Sequence, residues 1–277
     1  MKVSDTRYYW MDKATRAQQA KYWAETKSKV FANQIKQAVE SSQIYDNNSQ
    51  FNISEQVERM PIDLVAMGST EAIYEYAKEK KGTIAVLNFA SYKNPGGGFL
   101  SGSRAQEECL CHESYLYNVL AQFPDYYAWN NNHKNRCLYE NRAIYSKGIG
   151  FEHNGTITFC DVITCAAPNI SPSRKYGYGI SEIENSTALD SRIKFVLSIA
   201  ADQKVDTLIL GAFGCGVFGQ DATEVAQIFS KYLSTDFKVF KRVVFAIPTN
   251  VHSENYTKFY KVLTQETSLR KNKLEGK

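Results

Sequence analysis

The sequence predicts an α/β fold, a mixed sheet sandwiched between helices and preceded by an N-terminal helical extension. Three observations carry this. Short apolar runs rich in β-branched residues recur at Ile62–Met67, Thr83–Ala90, Thr156–Cys165, Val205–Leu210 and Val243–Ile247. Segments with helical spacing lie between them, the alternation of a sheet covered on both faces. Two glycine-rich loops each join a strand to a helix, at the carboxyl edge where such sheets hold their ligands.

The elements follow in chain order. Residues 12–41 read as one long polar helix, with Ala14, Ala17, Ala20, Ala24, Val30, Phe31, Ile35 and Val39 at roughly helical spacing. A polar turn follows at Asp46–Gln50, within an extension taken as 1–60 that docks on the rest rather than folding alone. The main domain is taken as 61–265 and a basic, disordered tail as 266–277. Ser69 is placed to cap a helix over Thr70–Lys80, which Gly82 ends. After the strand Thr83–Ala90 and the first glycine loop, a helix is expected from Ser103 to about Gln122. Residues 124–142 are rich in Asn and Tyr and read as irregular; residues 169–179 read as a surface loop. Helices over Ile180–Gln203, Ala222–Leu233 and Asn255–Leu263 complete the pattern, the last behind a strand stopped by Pro248.

Composition narrows the function classes. The 277 residues carry 33 basic against 29 acidic side chains, a net charge of +4. That is too mild to bind nucleic acid by bulk electrostatics, yet it tolerates an anionic ligand. The chain opens on polar residues without an apolar signal core, and no run reaches the ~20 apolar residues of a membrane span. A cytoplasmic, monomeric protein with no membrane partner is expected. Cys109, Cys111, Cys137, Cys160, Cys165 and Cys215 form no C-x-x-C, so reduced thiols are expected. Cys109, Cys111 and His112 have no second pair at zinc-binding distance and read as ordinary helix residues, with no metal site. His133, His153 and His252 have no evident acid or nucleophile partner, and no G-x-S-x-G occurs.

The first glycine loop runs Asn94-Pro95-Gly96-Gly97-Gly98-Phe99-Leu100-Ser101-Gly102 and the second Gly211-Ala212-Phe213-Gly214-Cys215-Gly216-Val217-Phe218-Gly219. Chain without Cβ atoms can turn several N–H groups onto one anion, and a helix N-terminus adds to the attraction. Neither loop is a Walker A sequence, and neither matches G-x-G-x-x-G with an acid ~20 residues on. A diphosphate gripped by main chain from two sides is the reading they favour.

Ser103-Arg104-Ala105-Gln106-Glu107-Glu108 opens the next helix, with Ser103 and Gln106 spaced as a capping box. Successive helical residues point about 100° apart, so Glu107 and Glu108 cannot do the same work on one atom. One can face a reacting bond while the other holds a neighbouring hydroxyl. A helix N-terminus lowers a carboxyl pKa, whereas a general acid needs it raised, and burial or a bound diphosphate could restore it.

Gly96-Gly97-Gly98, seven residues, then Gln106-Glu107-Glu108 resembles the signature GGG-x(6–8)-QEE of the poly(ADP-ribose) glycohydrolases. Leu87–Ser91, Leu138-Tyr139-Glu140, Ala166-Ala167-Pro168-Asn169, Leu210–Phe218 and Val243–Ile247 are similar to the shorter microbial branch, and the likeness covers roughly 60–255. It implies a macrodomain that binds ADP-ribose and hydrolyses the ribose–ribose O-glycosidic bond of poly(ADP-ribose) from chain ends, with no cofactor. By position, Glu108 matches the catalytic acid/base and Glu107 the glutamate that holds the distal ribose hydroxyls. Gly96, Gly97 and Gly98 match the diphosphate loop. Gly214, Cys215, Gly216, Val217 and Phe218 match the second phosphate loop, Phe218 packing on the ligand's distal end. Asn88 and Ser91 match the strand end that faces the ribose, and Gln106 is grouped with the ligand-binding residues. The chain departs from the family at Cys109–Glu113, and at Ile247–Asn250, where relatives often carry an aromatic and an acid. Mono-ADP-ribosylated protein or nucleic acid as substrate, or a reader of ADP-ribose without turnover, stay open as alternatives. A reader has no need of a carboxylate at Glu108.

Overall fold

The computed structural model describes residues 11–53, 56–78, 82–249 and 254–265. The tail 266–277, His252 and Asn250 lie outside them. A seven-stranded sheet in the order β1-β4-β5-β3-β6-β7-β2 forms the middle layer. Its strands are β1 (Gln43–Tyr45), β2 (Ile62–Val65), β3 (Ile84–Phe89), β4 (Ala143–His153), β5 (Thr156–Cys165), β6 (Thr207–Leu210) and β7 (Arg242–Ala246). The run from β5 through β3, β6 and β7 to β2 is parallel; β4 and β1 add an antiparallel edge.

Alternation along the strands explains the layers, because side chains two apart share a face. Ala85, Leu87, Ile163, Leu208, Leu210, Val243 and Phe245 face one apolar core; Val86, Val162, Ile209 and Val244 face the other. The first core is roofed by α8 (Glu182–Asp202), α9 (Ala222–Ser234) and α10 (254–265). The second is roofed by α1 (Lys13–Val30), α2 (Ala32–Ser41), α3 (Ser69–Ala77), α4 (Gln106–Glu113), α5 (Leu116–Leu120) and α6 (Pro124–Asn132). A short helix α7 (Ser171–Tyr176) follows β5. Burial on both faces is why the parallel strands read as nearly continuous apolar runs.

Several boundaries differ from the sequence expectation. The helix expected over 12–41 is two helices, turned at Phe31 (φ −111°), whose ring packs on Tyr115 at 5.4 Å. The polar extension also supplies β1, which pairs with β4. The helix expected over Ser103–Gln122 breaks at Ser114, which bridges to Phe151 and whose hydroxyl donates to the Leu110 carbonyl and accepts from the Leu116 amide. β4, not expected from the sequence, shifts its register between Ser146 and Ile149, around Gly148 at φ +63°, which spoils the alternation. The stretch 124–142 contains α6, begun by Pro124 in its first turn, where a missing N–H costs nothing. Part of 169–179, expected as loop, is α7. Ser69 lies inside α3; the cap is made by Glu71, whose carboxyl accepts from the Gly68 amide at 2.8 Å.

Candidate active site at the carboxyl edge

β3 and β6 are neighbours, and each glycine loop leaves one of them at the same edge. Asn88 and Thr164 sit side by side in the β3–β5 register, on the face towards α4. The Asn88 amide donates to Thr164 Oγ1 and to Glu107 Oε1, both at 3.3 Å. Strand parity therefore aims Asn88 at the glutamate turn.

That turn is organised differently from the capping box the sequence suggests. The N-cap is Ala105, not Ser103; its side chain caps nothing, and its amide is taken up by Glu108, whose Oε2 accepts from it at 2.9 Å. Its Oε1 accepts from the Gly98 amide at 2.7 Å, so Glu108 spans the glycine loop and the helix start. Glu107 Oε2 accepts from the Ser91 amide at 2.7 Å. Both glutamates are buried, at 3% and 6% exposure. Gln106, expected among the ligand contacts, has its amide committed within the protein. It donates to the Leu87 carbonyl and Ser69 Oγ and accepts from the Phe89 amide, beyond the point where β3–β6 pairing ends at Val86–Ile209.

The glycines are explained by what lies against them. Gly97 has φ +60°, and a Cβ there would stand 2.7 Å from Glu108 Oε1 and 2.8 Å from Glu107 Oε2. The two carboxyls thus converge on one point of the loop backbone. In the second loop Gly214 has φ +76° and no room for a Cβ beside Ala167 and Gln220. Gly216 and Val217 are exposed. Among the described residues, the amides of Gly216, Val217 and Phe218 meet no protein acceptor, which suits an anion. Cys215 bonds weakly to the Phe213 carbonyl at 3.6 Å, and burial pushes its thiol up to about 12, away from the thiolate form.

Phe218 meets Tyr139 edge-on at 6.2 Å, and Tyr139 stacks on Tyr92 at 4.2 Å. This aromatic cluster joins the second loop to the chain just after Ser91. Tyr92 and Thr164 carry no local sequence signal beyond their positions at strand ends. The Trp129 ring in α6 is engaged within the protein. Trp129 has His133 stacked at 3.8 Å and the Arg142 guanidinium at 4.2 Å.

Burial pushes the Glu107 carboxyl up to about 8; the Ser91 amide opposes this, and neighbouring Glu108 adds to the rise. Burial therefore favours the protonated form of Glu107, which can donate a hydrogen bond. The folded chain keeps this proton up to about 8, whereas an unperturbed carboxyl releases it near 4.5. Stability must then decline as pH rises across that interval and level off above it. Urea titrations from pH 5 to pH 8 should show the decline in the wild type and a smaller one in Glu107→Gln. Equal slopes would mean that Glu107 is ionised at neutral pH.

Among the described residues no group of three or more His, Cys, Asp and Glu could hold a metal, and no helix is long and apolar enough to cross a membrane. All six cysteines are free. A cavity lined by Tyr76, Ile84, Phe159 and Thr207 lies at the opposite end, where β3 and β6 begin, and takes no part in this site.

Two main-chain loops and a buried pair of carboxyls, at the carboxyl edge of a mixed sheet between helices, define a macrodomain-like hydrolase. Residues 12–152 match the family described as "Microbial-type PARG, catalytic domain", and the chain belongs to this family of poly(ADP-ribose) glycohydrolases (PARG). It is similar to poly(ADP-ribose) glycohydrolase from Thermomonospora curvata, with 27% identity, a TM-score of 0.81, and coverage of 90% of this chain and 99% of that one. It is also similar to the enzyme from Deinococcus radiodurans in complex with ADP-ribose, with 28% identity, a TM-score of 0.73, and coverage of 83% and 97%. A further structure of the Thermomonospora protein holds the inhibitor ADP-HPD. No curated protein matches the sequence.

Proposed function

We propose that Glu108 is the acid/base with which this protein, a poly(ADP-ribose) glycohydrolase, splits the ribose–ribose bond from the chain end and releases ADP-ribose. The observation that carries the assignment is the convergence of both buried carboxyls on Gly97. A diphosphate seated on the two glycine loops brings its distal ribose to that point. Glu107, neutral and anchored by the Ser91 and Asn88 N–H groups, holds the ribose hydroxyls.

The bond to the anomeric carbon breaks through an oxocarbenium-like state, which the adjacent diphosphate stabilises by its charge. Glu108 gives its proton to the departing oxygen. It then takes a proton from the water that adds to the anomeric carbon, which restores the acid. One carboxyl thus serves both half-steps, in contrast with the paired-carboxylate arrangement. Asn88, Ser91 and Phe218 shape the ribose end, and Gly96 to Gly98 with Gly214 to Val217 supply the phosphate contacts. Gln106 acts at one remove, by fixing the end of β3.

A time course of purified poly(ADP-ribose) digested by the wild-type protein tests this reading. Free ADP-ribose should accumulate from the first time point while long chains shorten gradually. Early long oligomers would overturn cleavage from the end. Intact polymer, with ADP-ribose bound tightly, would make the protein a reader or move the substrate to mono-ADP-ribosylated protein or nucleic acid.

A further inference from the structure

The polar helix α1 makes buried contacts that its sequence does not announce. Arg16 is buried and its Nε donates to the Gly102 carbonyl at 2.7 Å, while its guanidinium also bonds to the Met11 carbonyl. Gly102 has φ +75°, and a Cβ there would lie 2.1 Å from the Lys13 carbonyl oxygen and 2.9 Å from the Ala17 nitrogen. The end of the first glycine loop therefore rests directly on the α1 backbone. Three turns on, about 16 Å along the helix, Lys27 is also buried. Its ammonium donates to the carbonyls of His112 at 2.7 Å and Ser114 at 2.9 Å, at the C-terminal end of α4. They lie in the last turn of α4 and just past it, where the main-chain carbonyls carry the negative end of the helix dipole. Trp23 lies 5.4 Å from the same ammonium, and the Asn118 amide donates to the Ala24 carbonyl at 2.8 Å.

Long cations are seldom buried unless fully bonded, because desolvation is costly. Here two of them grip main chain on either side of one short segment. We propose that α1 is a splint for the glutamate turn, with Arg16 and Lys27 as positioning residues that fix the two ends of segment 102–114. Rotation or sliding of α4 would pull Glu108 off the Gly98 amide and Glu107 off the Ser91 amide. Burial draws the Lys27 ammonium down to about 8, opposed by the nearby Glu152 and Glu113 carboxylates.

The proposal rests on the glycohydrolase reading for its kinetic consequence, and its test carries a readout independent of turnover. In the full-length protein, Lys27→Met should lower kcat for ADP-ribose release by about 10- to 100-fold, the scale of an ångström-sized misplacement. KM should stay within about threefold, because the phosphate loops are untouched. Lys27→Arg, which keeps the cation, should recover most of the loss. Amide exchange followed by NMR should quicken at Gly98 and Ala105 and stay unchanged at Gln220. Arg16→Gln, which cuts only the loop-end tie, is read the same way should Lys27→Met fold poorly. A lower melting temperature with kcat and Gly98 exchange both unchanged would overturn the splint. Absence of turnover in the wild type would overturn the enzymatic reading instead, and amide exchange would still decide the splint.

Discussion

Glu108→Gln should lower ADP-ribose release from poly(ADP-ribose) by about 10³-fold, within the range that general acid–base catalysis supplies. ADP-ribose affinity by calorimetry should change by no more than about threefold, since the loops that hold the phosphates stay in place. The expectation follows from what each glutamate does. Glu108 must pass a proton in both directions, and an amide can do neither. Burial favours the neutral form of Glu107, so Glu107→Gln imitates its protonated form and keeps a donor towards the ribose. Its turnover should fall far less, by about tenfold, as expected for weakened positioning. Glu108→Ala completes the comparison. In Glu108→Gln one amide end must face an N–H group, of Gly98 or Ala105, whereas alanine leaves both amides to solvent or ligand. Loss of activity in both Glu108 variants with retained binding assigns the acid/base. A Glu108→Gln enzyme within tenfold of wild type, beside an inactive Glu107→Gln, would exchange the two roles.

The parts of this site that could be read from the sequence share one property: their chemistry is local. Three glycines followed at fixed distance by Gln106-Glu107-Glu108 can serve only where loop backbone and helix start must meet, and the structure brings them together. The parallel strands are legible because burial on both faces leaves them nearly continuous apolar runs. What the sequence does not show locally depends on partners far away in the chain. Arg16 and Lys27 lie on a helix with a polar sequence all round, and their burial is decided by carbonyls 85 to 87 residues on. Gln106 has the spacing of a cap, yet its amide serves β3, because β6 pairs no further than Ile209. The capping role passed to Glu108, whose carboxyl was needed at Ala105 and Gly98 together. β4 stayed hidden because a register shift breaks its period, and α6 because tyrosine, tryptophan and asparagine are indifferent helix formers.

Gly97→Ala should remove both binding and turnover, which separates it from any change at Glu108. Two costs combine at this position. The φ of +60° places a residue with a Cβ in the left-handed region, at roughly 1–2 kcal/mol. The Cβ itself would lie 2.7 Å from Glu108 Oε1 and 2.8 Å from Glu107 Oε2, closer than carbon and oxygen tolerate. One carboxyl or the loop must move, and either movement breaks the Gly98–Glu108 or the Ser91–Glu107 bond. Turnover should then fall by about 10³-fold or more, because misplacement now adds to a lost proton donor. ADP-ribose affinity should fall with it, since the displaced backbone is the diphosphate seat. Gly216→Ala provides the contrast for stability, because a Cβ there meets nothing within 4 Å. Its unfolding free energy should stay within about 0.5 kcal/mol of wild type. A Gly97→Ala protein that still binds ADP-ribose as wild type would mean that the loop can yield without disturbing the phosphates. The convergence of the two carboxyls on Gly97 would then be a matter of packing, and the case for coupling between phosphate seat and acid would rest on Gly98 alone.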